Sequence, residues 1–528
     1  MAAAGNMNRD AVIRELKESY DIWDVIVVGG GATGLGVALE SVARGYRTLL
    51  LEQHDFAKAT SSRSTKLVHG GVRYLQQGNV SLVMEALRER GRLLKNAPHI
   101  CHNLPFVVPV YEWWDGPFYG VGMKLYDMLA GKLGLGPSKV LSREKTLELL
   151  PNVEPKGLKN GVIYHDGQFD DARLAVSLAQ TIADKGGHVL NYCKVTGFKK
   201  RGGFITGVSA HDEETGEDYE LDARVVINAT GIFSDDTRQM DDPSEEPLMA
   251  PSQGVHLVLD KSFLPGESAI MVPKTADGRV LFAVPWHGRT VVGTTDTAIE
   301  KSTLEPKPQK EEIDFLLEHA AIYLDRDPTR EDVLSMYCGI RPLVRSPGDK
   351  GTAALARDHV LMISDSNLVS ITGGKWTTYR KMAEDTIDAA ALVGGLEERP
   401  SGTTNLRLHG WIKTPMETDG LLSLYGSDGT GVRKTMSEQP GWDEPLHPNL
   451  PYYWGEVAWG VRREMARTVE DVLSRRTRSL LLDARASVEA APKVAAIMAA
   501  ELGRDEAWQK AQVEEFTALA RDYMIPTT

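Results

Sequence analysis

The chain has 528 residues, enough for about three domains of ordinary size, and its 42% hydrophobic and 25% charged residues exclude disordered and collagen-like classes. A net charge of −13 argues against bulk nucleic-acid binding, yet allows basic residues to gather in one pocket. Cys101, Cys193 and Cys338 stand far apart with no CxxC pair, which excludes a disulfide framework or thiolate metal site and fits a reducing compartment.

No stretch of about 18 uncharged apolar residues is present, so no membrane-spanning helix is expected. Met1 to Asp10 lacks the basic start and apolar core of a signal peptide. Met1 to Asn6 is expected to be a remnant of expression engineering ahead of Met7 and is set aside from the fold. An intracellular protein is expected, with residence on a membrane surface open.

Trp23-Asp24-Val25-Ile26-Val27-Val28 reads as a buried parallel strand. Gly29-Gly30-Gly31-Ala32-Thr33-Gly34 then satisfies G-x-G-x-x-G, a helical pattern follows to Gly45, and a second strand, Thr48 to Leu51, ends at Glu52. In this arrangement Gly29 permits the turn, Gly31 lets backbone amides approach a pyrophosphate, and Gly34 lets helix pack on strand. The helix N-terminus supplies partial positive charge, and Glu52 can accept from ribose hydroxyls. Strand, motif, helix, strand and acid together indicate an adenine dinucleotide, without distinguishing NAD from FAD. The long polar stretch Thr60 to Tyr74 leans towards FAD, because it can run along an extended cofactor; a solvated loop is the alternative.

Phe118 to Gly136 is rich in Leu, Met and Tyr but carries Lys124, Asp127 and Lys132. It reads either as an amphipathic element in a membrane interface or as a core helix. Arg224 to Gly231 is a further buried strand with a small-residue turn. His256 opens an alternating strand in Ser252 to Leu259. Short strands at Ala269–Pro273, Val280–Val284 and Thr290–Gly293, punctuated by Asp277-Gly278 and His287-Gly288, suggest an antiparallel sheet capping the cofactor. Leu368 to Gly374 repeats the strand-and-glycine pattern before a helix near Lys375, where amides can face an anion. Arg399 to Thr404 reads as a linker. Helices are expected over Val457–Arg478, Ser487–Leu502 and Glu506–Tyr523, with Arg475, Arg476 and Arg478 as a solvated helix end. No HExxH spacing or EF-hand loop marks a metal site.

Several long motifs then resemble one family, the FAD-dependent glycerol-3-phosphate dehydrogenases. They are Ala59-Thr60-Ser61-Ser62 with Lys66-Leu67-Val68-His69-Gly70-Gly71-Val72-Arg73-Tyr74-Leu75, Asp170 to Leu174, Val292-Gly293-Thr294-Thr295-Asp296, Gly339-Ile340-Arg341-Pro342-Leu343 and Gly373 to Lys381. They keep the family's order from about Asp24 to Ala390, with a looser continuation through Val461 to Glu464 and Asp483 to Arg485. The resemblance implies oxidation of sn-glycerol 3-phosphate to dihydroxyacetone phosphate, with electrons passing through FAD to a quinone. Related oxidases that use oxygen carry an insertion for which this chain has no obvious candidate. It also implies a peripheral location on the cytoplasmic face of the inner membrane, and allows a homodimer.

The architecture expected is α/β (α+β overall). Residues 20–100, 151–250 and 346–398 would form a Rossmann-like FAD-binding domain, 101–150 a cap or membrane-proximal insertion, 251–345 the antiparallel substrate domain and 405–528 a C-terminal helical domain. FAD contacts are expected from Gly29, Gly31, Ala32, Thr33, Gly34 and Glu52, then Thr60, Ser61, Ser62, Lys66, His69 and Gly70. Val195, Ala229, Thr230, Gly231, Gly374, Lys375 and Thr377 complete that set. Arg73, Tyr74, Arg341, Arg357 and Lys375 would bind the phosphate, since guanidinium donors match its oxygens bidentately. His256 is the expected general base, with His69 as rival, and Arg341 would stabilise the developing alkoxide. An amino-acid or amine oxidase of related architecture and a non-catalytic flavin scaffold are the competing readings.

Overall fold

The computed structural model describes residues 7–18, 21–71, 79–112, 115–272, 280–345, 359–414 and 417–526. In chain order, α1 (Arg9–Glu18) precedes β1 (Trp23–Val28), α2 (Ala32–Ala43), β2 (Thr48–Leu51) and β3 (Leu67–Val68). Then come α3 (Val80–Asn96), β4 (Cys101–Val110), α4 (Asp115–Ala130), β5 (Lys139–Leu141), α5 (Arg143–Leu149), β6 (Asn160–Phe169) and α6 (Asp171–Asp184). The strands β7 (His188–Leu190), β8 (Cys193–Arg201), β9 (Phe204–Asp212) and β10 (Asp218–Asn228) lead to α7 (Ser234–Asp241). Next are β11 (Ser252–Asp260), β12 (Ala269–Val272), β13 (Leu281–Trp286), β14 (Arg289–Gly293), β15 (Thr297–Ala298), α8 (Lys310–Tyr323) and β16 (Val333–Arg341). The chain closes with β17 (His359–Ile363), β18 (Val369–Gly373), α9 (Tyr379–Val393), α10 (Gly429–Met436), β19 (Pro445–His447), β20 (Leu450–Tyr453), α11 (Trp454–Arg463), α12 (Ser479–Leu482), α13 (Ala484–Leu502) and α14 (Glu506–Arg521).

Two large sheets organise these elements. The first runs β17-β18-β10-β1-β2-β7, with β8 and β9 extending from β10. Its central pairs, β18–β10, β10–β1, β1–β2 and β2–β7, are parallel, as the near-continuous apolar runs of β1 and β2 require when both faces are covered. The second sheet runs β15-β11-β14-β13-β12-β4-β6-β3, with β16 on β11 and β5 on β6. It is antiparallel except for the β12–β4 pair, which is parallel. The His287-Gly288 turn between β13 and β14 takes φ of +48° and +73°, the conformation that two-residue hairpins demand. Asp277 and Gly278 lie outside the described residues.

Several expectations are corrected. The strand β6, expected in the cofactor segment 151–250, pairs with β4 and β5 in the second sheet, so the chain commits 101–169 largely to that sheet. The strand β11 is buried on both faces instead of alternating; it pairs with β14 on one edge and β16 on the other. Residues 457–478 do not form one helix: α11 ends at Arg463, Met465 takes φ +53°, and a single wide turn spans Asp471–Arg476. The N-terminal α1 is an element the sequence reading left unassigned; its Arg9 is buried and paired with Asp212 at 2.8 Å. Among the described residues no helix is long and apolar enough to cross a membrane.

Candidate active site

The first cleft opens where β1 meets α2. A Cβ at Gly34 would lie 1.8 Å from the Gly29 carbonyl oxygen, so only glycine lets helix and strand approach this closely. The loop after β2 folds over the turn: Gly30 N–H donates to Glu52 Oε2 at 2.6 Å, His54 N–H to Glu52 Oε1 at 2.8 Å, and Ala32 N–H to Ser61 Oγ at 2.9 Å. Burial raises the Glu52 carboxyl pKa, against the pull of the His54 and Gly30 amides. Gly29, Gly31, Ala32, Thr33, Glu52, Thr60, Ser61, Val195, Ala229, Thr230, Gly231, Gly374 and Lys375 line this cleft, a cavity of about 500 Å³. An elongated trough with a glycine-walled helix N-terminus and an acid at the second strand fits an adenine dinucleotide.

A second cavity of about 380 Å³ adjoins it, and Thr60, Pro342, Gly374, Lys375 and Trp376 border both. Its lining combines the apolar Leu67, Phe106, Met271 and Phe282 and the ring of Tyr164 with the polar His256, Arg341, Lys375, Thr294 and Asp296. The Arg341 guanidinium at the end of β16 is braced: Nη1 donates to Gln253 O (3.1 Å) and Asp296 Oδ1 (3.2 Å), Nη2 to Thr294 Oγ1 (3.1 Å) and Thr295 O (2.8 Å). A Cβ at Gly254 would sit 2.6 Å from Arg341 Nη2, and one at Gly293 2.2 Å from His256 Cδ2. Both glycines therefore make room for the Arg341 and His256 side chains.

His256 is 3% exposed. Its ring stacks on Tyr337 at 4.7 Å and 9°, and Nε2 shares a hydrogen bond of 2.9 Å with Thr65 Oγ1. Burial, then the charges of Lys66 and Arg341, hold its pKa well below 6.5. His69 and Thr377 line the same cavity, with His69 lowered to about 3 by burial. His69 N–H donates to Thr377 Oγ1 at 3.3 Å.

Lys66, Ser62 and Gly70, also expected to contact the cofactor, are not among the residues that line either cavity. Lys66 Nζ is buried on Asp171 Oδ2 (2.7 Å) and the Ser62 carbonyl (2.8 Å), because an ammonium taken out of water needs a carboxylate partner. Burial, opposed by Asp171, brings its pKa down to about 7. Ser62 belongs to the same interior network, and Gly70 turns its amide onto Tyr126. Arg73, Tyr74 and Arg357 lie outside the described residues. Sequence reasoning missed Thr65 and Asp166, which also line the second cavity; neither carries a spacing signal.

The arginines expected at a solvated helix end are interior. Arg476 forks onto Asp55 at 2.7 and 2.8 Å, Arg475 meets Asp55 and Asp471, and Arg478 Nη2 donates to the Ser62 carbonyl at 2.6 Å. All three are at most 2% exposed. They fasten the C-terminal helices to the loop that lines both clefts.

A family model described as FAD dependent oxidoreductase matches residues 24–380, and one described as the C-terminal domain of alpha-glycerophosphate oxidase matches 367–509. The mitochondrial glycerol-3-phosphate dehydrogenase of Bos taurus is 41% identical over 98% of this chain and 75% of that protein. That of Arabidopsis thaliana is 40% identical over 94% and 85%. The solved glycerol-3-phosphate dehydrogenase of Bacillus halodurans, complexed with FAD, superposes with a TM-score of 0.80 at 30% identity, covering 99% of each chain. An L-alpha-glycerophosphate oxidase from Mycoplasma pneumoniae shares the fold at 18% identity and TM-score 0.57. With a dinucleotide trough running into a cavity walled by His256, Arg341 and Lys375, and with these relatives, the chain belongs to the FAD-dependent glycerol-3-phosphate dehydrogenases.

Proposed function

We propose that this protein oxidises sn-glycerol 3-phosphate at C2 to dihydroxyacetone phosphate, with a quinone as the final electron acceptor. The chemistry that FAD supplies when bound is acceptance of the C2 hydride at N5 and later release of the electron pair. The observation that carries the reading is the convergence of Arg341, Lys375 and His256 on one cavity that continues into the dinucleotide trough. Arg341 and Lys375 supply the charge a phosphate dianion needs; Arg73 and Tyr74 join them on the family motif they belong to, and Arg357 is a further candidate. The braced guanidinium also lowers the energy of negative charge on the C2 oxygen as its proton leaves. His256, neutral at rest, takes that proton at Nε2, the nitrogen beside Thr65; such assistance is worth roughly 10²–10⁴-fold.

A quinone dissolved in a bilayer calls for contact with the membrane surface. We place that contact on α4, where Leu125 and Met128 are 41% and 76% exposed, and the protein on the cytoplasmic face of an inner membrane. The test of substrate is direct: anaerobic holoenzyme is mixed with glycerol 3-phosphate and the flavin spectrum followed. Bleaching is expected; a persistent yellow colour at saturating substrate, with bleaching by an amino acid, overturns the reading.

A further inference from the structure

We propose that Tyr126, on the surface helix α4, is a positioning residue for the catalytic cavity, acting through the backbone of Gly70. The inference rests on the reading of that cavity as the glycerol 3-phosphate site. Gly70 N–H donates to the Tyr126 phenol oxygen at 2.7 Å and more weakly to Asp166 Oδ1 at 3.3 Å. The phenol donates in turn to the Asp166 carboxylate, at 3.0 and 2.9 Å. Arg90 Nη1 holds that carboxylate at 2.6 Å. Tyr126, Asp166 and Arg90 are 1%, 3% and 1% exposed, so no water competes for these bonds. The phenol thus accepts from one side and donates to the other, and the carboxylate fixes the direction of its proton.

The turn it holds is part of the cavity wall. His69 and Gly71 line the cavity on either side of Gly70, and His69 N–H is tied across the cleft to Thr377 Oγ1. The turn is therefore pinned from two directions, by the cofactor domain at Thr377 and by α4 at Tyr126. There is no slack in the second pin, since a Cβ on Gly70 would lie 2.4 Å from the phenol oxygen. Among the described residues, α4 contributes no side chain to the cavity itself, so Tyr126 acts by placing other groups.

Tyr126→Phe keeps the ring, which packs edge-on to Tyr164 at 6.4 Å, and removes the acceptor for Gly70. The Gly70 amide is then left to Asp166, and the turn that carries His69 and Gly71 into the cavity wall shifts. We expect KM for glycerol 3-phosphate and Ki for inorganic phosphate to rise together by about tenfold, in holoenzyme with full FAD content and a kcat within about threefold of wild type. Asp166→Asn, which frees the phenol proton, is expected to show the same KM-weighted defect. A Tyr126→Phe enzyme with a lowered melting temperature but unchanged KM and Ki has lost only packing, and the proposal falls. Arg341→Ala separates this failure from that of the underlying reading. If Arg341→Ala impairs turnover while Tyr126→Phe does not, positioning by Tyr126 is wrong and the site stands; if Arg341→Ala is also silent, the site assignment itself is wrong.

Discussion

An imidazole in water titrates near 6.5, and His256 is held well below that by burial and then by the positive charges of Lys66 and Arg341. A base serves only while unprotonated, so a depressed pKa keeps His256 ready across the whole neutral range and fails only in acid well under pH 6.5. Stopped-flow reduction of the flavin at saturating glycerol 3-phosphate should therefore stay within about twofold from pH 8 to pH 6. An inflection close to 6.5 would assign the proton to a different group. At this scale the sequence was informative where a residue sits in a long motif: Arg341 ends its strand before Pro342, and His256 opens onto the same cavity. It was silent on Gly254 and Gly293, whose importance lies in the 2.6 Å and 2.2 Å approaches of side chains they must not obstruct. Nor does the motif around Lys66 show its partner, Asp171, 105 positions away.

The helix α4 shows how one element can face two environments. Tyr126 and Ala130 are buried, and Tyr126 reaches inward to Asp166, whereas Leu125 and Met128 project outward beside the exposed Lys124. The buried Tyr126 and Ala130 pack as a core helix does, and the exposed Leu125 and Met128 are what the proposed membrane contact rests on. Two large apolar side chains inserted in a lipid interface contribute roughly 1.5–3 kcal/mol each. The double variant Leu125→Ser/Met128→Ser should lose at least about tenfold in liposome partitioning in a flotation assay, with glycerol 3-phosphate still reducing its flavin. Equal flotation of a folded variant removes α4 from the membrane contact. Element identity was legible wherever the signal is local, as in the glycine turn before α2 or the His287-Gly288 hairpin. Partnership was not: β6 mixes Asn160, His165, Asp166 and Gln168 with apolar residues, and its place beside β4 depends on a register running from Cys101↔Phe169 to Val110↔Asn160, which no short window of sequence encodes.

Across the whole molecule, the C-terminal helices and the cofactor loop are joined by interior charge rather than by apolar packing alone. Asp55, on the loop after β2, receives Arg475 and Arg476 from more than 400 residues away; that separation is why the closely spaced Arg475, Arg476 and Arg478 looked like a solvated end. Glu470 pairs with Lys58 of the same loop at 2.6 Å and with Arg475 at 2.8 Å. Burial alone would raise the Asp55 carboxyl, but Arg476 and Arg475 more than offset it and hold it at about 2. Asp55→Asn leaves two guanidiniums buried without their shared carboxylate, and loss of one partner of a buried pair costs about 3–5 kcal/mol. Part of this is returned at Asp471, whose carboxyl is raised by burial and by the Asp55 charge, so the lower end of the range is expected. Urea unfolding of the holoenzyme measures the difference. Folded Asp55 stays ionised down to about pH 2, whereas an unfolded aspartate takes up its proton near 3.9. Between those values the unfolded chain binds more protons, so the contribution of Asp55 is complete above about pH 5 and is lost as pH falls from about 4 towards 2. The stability gap between wild type and Asp55→Asn should accordingly be constant from pH 7 to pH 5 and narrow below pH 4. A gap that keeps its full size at pH 3 would mean that something other than the ionised carboxylate holds the two halves together.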